Sequence, residues 1–215
     1  MRFNAFYKII DQITEMDLPG EKVQLLMAPP FREYLMEKFK RSTIKAMPAA
    51  VLCLFYPNKN GEASVVFIVK KSNSGVHSLQ VGFPGGKYKK QDIDLSHTAI
   101  RETNEEVGVN QKTIKIIKSM TEIYIPPSNF IVQPYIAYTS LTPNFKPQIS
   151  EIDSIFEVSL NSILNVSNQK SSIVKTSYGP NISVPSFIFK EHVIWGATAM
   201  ILMEIVCLLN LIFKK

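Results

Sequence analysis

The sequence predicts an α/β fold, and three observations carry the prediction. Apolar runs of strand length begin at residue 49 and recur to the end of the chain. A polar, acidic segment of helical character stands between the second and third of these runs. Finally, 215 residues with 46% apolar and 20% charged side chains supply enough material for a sizeable core.

Residues 1–46 read as a helical N-terminal extension, and residues 47–215 as the main domain. Phe6, Ile9, Ile10 and Ile13 fall at helical spacing, and Asp17-Leu18-Pro19-Gly20 breaks the helix. A second amphipathic helix through Tyr34, Leu35 and Phe39 ends in Lys38, Lys40 and Arg41. Next, AVLCLFY (50–56) and SVVFIVK (64–70) flank the turn Asn58-Lys59-Asn60-Gly61 and predict a β-hairpin. A loop at 71–80 leads into the turn Pro84-Gly85-Gly86, and Leu95 to Val107 has helical character. Residues 113–120 and 131–138 read as strands with a two-proline loop between them, and Pro134 argues for an edge or a bulge. IDSIFEVSL (152–160) reads as a strand, 161–164 as a short helical turn and 165–180 as a polar surface loop. A hairpin of 187–189 with 192–195 and an apolar helix at 198–213 close the chain. That last stretch is shorter than the ~20 residues a membrane span needs, and Glu204 and Asn210 interrupt it. It is expected in the core or at the interface of a homodimer, not in a membrane.

The net charge of +6 is scattered, which suits an anionic small molecule. No basic stripe with interleaved aromatics marks a nucleic-acid partner. Cys53 and Cys207 both lie in apolar surroundings and read as buried thiols of a reducing, cytoplasmic protein. The N-terminus shows no apolar stretch with a cleavage site, so no signal peptide is expected. His97 and His192 are given no catalytic role.

Chemistry concentrates at 83–109, FPGGKYKKQDIDLSHTAIRETNEEVGV. The double glycine lets backbone approach a ligand. On a helix, Glu102, Glu105 and Glu106 share one face, where like charges repel. A hard divalent cation, Mg²⁺ or Mn²⁺, turns that repulsion into a binding site, because it takes oxygen ligands from carboxylates, phosphates and water. Gly108 stands where helices stop.

In register, Gly86, Asp92, Arg101, Glu102, Glu105, Glu106, Gly108 and Val109 resemble the box of the Nudix hydrolases. Three departures stand beside the match: Asp92 replaces a Glu, Thr103 fills an apolar slot, and the spacing from Asp92 to Arg101 is one residue longer. That longer spacing and Phe-Pro-Gly-Gly-Lys resemble the coenzyme A pyrophosphatase branch. Lys71-Ser72, His77 and Gln80 before the turn resemble it too, although Gly75 and Leu79 stand where that branch has an Arg and a Gly. Ser128, Phe130, Val132, Pro134, Glu151 and the Trp195-Gly196-x-Thr198-Ala199 run extend the likeness, so that it covers roughly 48–213.

The resemblance implies an α/β/α sandwich with a mixed central sheet, and hydrolysis of a diphosphate bond in coenzyme A or its thioesters. It implies Glu102 and Glu106 as metal ligands, with the Gly85 carbonyl and Glu151 as additions, and Glu105 as third ligand or general base. Arg101 would hold a glutamate of the cluster, and Lys71, His77, Gln80, Gly86 and Lys87 would meet the substrate. ADP-ribose or a dinucleotide as substrate, or a non-catalytic nucleotide-binding module, remain the alternatives.

Overall fold

A computed structural model describes residues 1–39, 45–71, 80–176 and 179–213. The extension forms four short helices: α1 (Phe3–Tyr7), α2 (Ile10–Glu15), α3 (Glu21–Gln24) and α4 (Arg32–Lys38). The first expected helix is thus broken at Lys8–Ile9, and the second runs to Lys38, while Lys40 and Arg41 lie outside the described residues. Phe6 and Ile13 are fully buried, and the Phe6 ring stacks on Phe55 at 4.4 Å, so the extension shares the main core.

β1 (Met47–Pro57) and β2 (Ala63–Lys70) form the expected antiparallel hairpin. The glycine turn contributes two short strands, β3 (Gln80–Gly82) on β2 and β4 (Gly85–Lys87) on β1. α5 (Leu95–Val107) follows, then β5 (Lys115–Ser119), β6 (Ile123–Ile125), β7 (Phe130–Tyr138) and β8 (Ile152–Ser159). β7 runs parallel to β1, whereas β2 pairs antiparallel with β8. The main sheet is therefore mixed, in the order β3-β2-β1-β7-β5 with β4, β6 and β8 alongside. Pro134 lies in the interior of this sheet, not at an edge. It sits where the partner of β7 changes from β6, ending at Val132, to β5, starting at Tyr135. Its missing N–H falls in that gap.

The chain closes with α6 (Leu160–Leu164), β9 (Gln169–Thr176), β10 (Gly179–Phe189), β11 (His192–Trp195) and α7 (Gly196–Phe213). The polar loop expected at 165–180 is mostly strand instead: β9 pairs with β10 over most of its length. Polar composition hid it because β9 is an edge strand with alternate residues exposed, and its serines bond across the ladder (Ser171 to Ser183 and Ser172 to Ser186, both 2.7 Å).

Strand alternation divides the core in two. Ala50, Leu52, Leu54, Val66 and Ile68 face α5. Cys53, Phe55, Val65 and Phe67 face α7, the N-terminal helices and the small sheet. The result is the expected layering of helix, mixed sheet and helix, with a three-stranded sheet added on the α7 side. No disulfide joins Cys53 and Cys207; Cys53 is buried as expected, which pushes its thiol pKa up, whereas Cys207 is only half-buried.

α7 is long and apolar enough to qualify as a span by composition, but 10 of its 18 residues are buried in the protein. Glu204 within it is fully buried and accepts from Gly20 N, Gln24 Nε2, Thr121 N and Thr121 Oγ1. One carboxylate thereby ties α7 to the N-terminal segment and to the turn between β5 and β6.

Candidate active site

α5 begins at Asp94, whose carboxylate accepts from His97 N at 2.8 Å, and ends at Gly108 with φ +76°. Thr103, in a slot expected to be apolar, is buried with its hydroxyl donated to Ala99 O at 2.7 Å. The hydroxyl is satisfied within the helix, so the substitution leaves no stranded polar group.

The glycine turn lies directly against the acidic side of this helix. At Gly85 a Cβ would come within 2.3 Å of Ala50 O. At Gly86 it would come within 2.6 Å of the Glu102 carboxylate. Backbone contact and positive φ require glycine at Gly85, whereas a side chain at Gly86 would displace the Glu102 carboxylate. Gly85 N donates to Glu106 Oε2 at 2.8 Å and fixes the strand turn to the helix.

Arg101 organises the cluster from within. Its Nε and NH2 make a fork on Asp92 (2.7 and 2.9 Å), while NH1 reaches Glu102 Oε1 (2.6 Å) and Glu105 Oε2 (3.0 Å). NH2 also donates to Lys87 O at 3.1 Å, which ties the cluster to β4. Such charge-assisted bonds fix the rotamers of both glutamates. Asp92 is buried and accepts further bonds from Thr98 Oγ1 and Lys89 N, both near 2.9 Å. The Arg101 fork, above all, holds its carboxyl well below the usual range, and Asp92 reciprocally raises the Arg101 pKa. The buried Nδ1 of His97 lies 3.3 Å from Asp92 Oδ1.

The three glutamates differ. Glu106 is 1% exposed, and burial raises its pKa against the opposing pull of Lys70. Glu102 is also largely buried, with 12% of its side chain exposed, and the Glu105 side chain is 39% exposed. Lys89 Nζ stands 3.3 Å from Glu105 and 3.8 Å from Glu102. Lys70 Nζ stands 3.0 Å from Glu106 Oε1 and 3.1 Å from Gly85 O.

Of the residues singled out from sequence, Gly85, Gly86, Arg101, Glu102, Glu105 and Glu106 come together here. The Lys87 backbone joins them, while its ammonium lies over the Phe130 ring at 5.3 Å. Lys71 and Gln80 are exposed at the ends of β2 and β3 beside Lys70, and His77 lies outside the described residues. Glu151 is exposed in the turn before β8; its carbonyl accepts from Lys71 N at 2.9 Å. Lys70 and Lys89 were missed by the sequence reading. Lys70 was discoverable, because it shares strand parity with Val66 and Ile68 and so lies on the α5 face.

The donor set is all oxygen and suits a hard divalent cation. Among the described residues no group of three or more His, Cys, Asp or Glu side chains is placed to hold a metal ion by itself. Mg²⁺ is ordinarily held by one or two carboxylates plus substrate phosphates and water, so the partial set fits it.

A family model for the NUDIX domain matches residues 46–175. The mitochondrial coenzyme A diphosphatase NUDT8 of Mus musculus is 30% identical over 166 residues, covering 74% of this chain and 77% of the relative. The peroxisomal coenzyme A diphosphatase ndx-8 of Caenorhabditis elegans is 29% identical over 168 residues, covering 77% and 69%. Among solved structures, a MutT/nudix family protein from Enterococcus faecalis is similar in fold, with a TM-score of 0.52 at 15% identity, over 79% of this chain and 63% of that one. The sheet, the acidic helix, the glycine turn packed against it and these similarities agree: the chain belongs to the Nudix family and is a Nudix pyrophosphohydrolase.

Proposed function

We propose that the chain hydrolyses the diphosphate bond of coenzyme A or an acyl-CoA, giving 4′-phosphopantetheine and adenosine 3′,5′-bisphosphate. The observation that carries this reading is the likeness, over about three quarters of the chain, to relatives named coenzyme A diphosphatases. The partial match of Lys71, Ser72, His77 and Gln80 to that branch points the same way.

The residues divide the work by burial and charge. Glu102 and Glu106 are the ligands for Mg²⁺ or Mn²⁺, with the Gly85 carbonyl and Glu151 as further oxygen donors. When bound, such an ion neutralises the diphosphate and makes attacking water more acidic. Glu105, the most exposed of the three glutamates, is free to serve as a third ligand or to accept the proton of that water. Arg101 positions Glu102 and Glu105 and does not meet the substrate, because Asp92, Lys87 O and the two glutamates take its donors. Lys71, His77, Gln80, Gly86 and Lys87 form the substrate side, where scattered positive charge draws in an anion. α7 belongs to the protein interior, with Leu211 and Phe213 at its exposed end available to a second copy. A cytoplasmic location is the reading from sequence; relatives are named mitochondrial and peroxisomal, and fractionation of cells distinguishes the three.

A panel of coenzyme A, acetyl-CoA, ADP-ribose and a diadenosine polyphosphate, each with Mg²⁺ and with Mn²⁺, tests the reading. The coenzyme A compounds should give the highest kcat/KM. A higher value on ADP-ribose or the dinucleotide overturns the substrate assignment, and no turnover on any of them overturns catalysis.

A further inference from the structure

Lys70 stands at one particular place in the cluster. Glu106 uses one carboxylate oxygen, Oε2, on Gly85 N at 2.8 Å. The other, Oε1, is 3.0 Å from Lys70 Nζ, which also donates to Gly85 O at 3.1 Å. A cation reaching both Glu106 Oε1 and the Gly85 carbonyl must therefore meet them where the ammonium now lies. Two cations within a few ångströms of each other repel, the more so beside a buried carboxylate. The ammonium and a divalent ion exclude one another there.

Exchange is also physically open. Glu106 and Gly85 are buried, but the Lys70 side chain is 43% exposed at the end of β2, beside exposed Lys71 and Gln80. Its four-carbon stem can swing outward without disturbing the strand. Leaving the carboxylate, the ammonium loses one anionic partner and has an incoming diphosphate as the next.

We propose that Lys70 is an exchangeable cation: it neutralises Glu106 and holds the Gly85 carbonyl while the divalent ion is away, then passes to the substrate diphosphate when the ion arrives. The inference rests on the reading of Glu106 as a metal ligand and adds to it a residue that sets both metal affinity and phosphate binding. Lys89 does not share the role, because at 3.3 and 3.8 Å it pairs with the outer glutamates alone.

The test titrates Mn²⁺ into the full-length protein without substrate, followed by electron paramagnetic resonance of the free ion. Lys70→Met should bind Mn²⁺ about ten-fold more tightly, the size of one screened charge–charge repulsion. Lys70→Arg, which keeps the charge, should stay within about two-fold of the wild type. At saturating Mn²⁺, Lys70→Met should raise KM for the substrate more than it lowers kcat, as expected for lost ground-state binding. Circular dichroism checks folding, and Lys70→Gln replaces the methionine variant if that one does not fold. Equal or weaker Mn²⁺ binding by the neutral variants overturns the exchange, and an unchanged KM overturns the transfer to the diphosphate. Glu106→Gln separates the two readings. If it binds Mn²⁺ as the wild type does, the metal-ligand assignment itself fails; if it loses Mn²⁺ while Lys70→Met gains nothing, only the exchange fails.

Discussion

Two helices cover opposite faces of one sheet, and each buries a glutamate. Glu204 on α7 is 0% exposed and Glu106 on α5 is 1% exposed. Glu204 is closed off by neutral donors: two backbone amides, a hydroxyl and a side-chain amide, drawn from two distant segments. Glu106 has one backbone amide and one half-exposed lysine, with Glu105 just before it and Glu102 one turn earlier on its helix. The same side chain is thus closed by neutral donors in one place and by a single half-exposed cation in the other. Burial of a carboxylate does not by itself mark function. What distinguishes the two is whether its partners are neutral dipoles inside the protein or a cation that reaches solvent.

Substitution should separate these roles. The largest effect is expected from Glu204→Ala, which strands the partly buried donors of Gly20 and Thr121 and takes one acceptor from buried Gln24. At about 1–3 kcal/mol for each unsatisfied group, the protein should lose about 3 kcal/mol or more of stability, read by denaturant unfolding. Turnover per folded molecule should hardly change. A variant that keeps its stability, or that loses turnover per folded molecule, breaks the comparison from the α7 side.

Glu106→Gln should do the reverse. It keeps size and helix propensity and removes one charge, so turnover should fall by about 100-fold while the unfolding midpoint stays close to the wild type. Near-normal metal-dependent turnover in this variant breaks the comparison from the α5 side.

The smallest effect concerns the support of the cluster and depends on pH. Asp92 is held below the ordinary carboxylate range in the folded protein, chiefly by the Arg101 fork. A group whose folded pKa is depressed contributes stability that is present above its unfolded value, about 3.9, and fades as pH falls through the lower folded one. The stability gap between wild type and Asp92→Asn should therefore be constant from neutral pH down to about 5 and narrow below about 4. A gap that is flat to pH 2, measured by thermal unfolding across that range, would mean that Asp92 acts through shape and not through its charge.

The α5 face was largely legible in the residues themselves. Spacing of three and four positions puts Glu102, Glu105 and Glu106 on one side of any helix, and Gly108 marks its C-terminal end. The α7 side was legible only as apolar. Glu204 read as a polar interruption of a hydrophobic run, with no sign of what it bonds, because Gly20 and Gln24 lie about 180 residues away in the chain. β9 was lost for a related reason: an edge strand with alternate residues in water carries too few apolar side chains to stand out.

By itself the sequence determined the helix, its acidic face, the turn that abuts it and the alternation of the strands around them, since all of these follow from periodicity and local backbone freedom over a few residues. Only the tertiary structure decided which charges face one another. It brought Lys70 from the end of β2 against Glu106, closed Arg101 over Asp92 and two glutamates at once, and set the Glu102 carboxylate in the space that the absent side chain of Gly86 leaves. Pairing between distant segments depends on the register of strands and the packing of helices across a core, and no local pattern of residues encodes that distance.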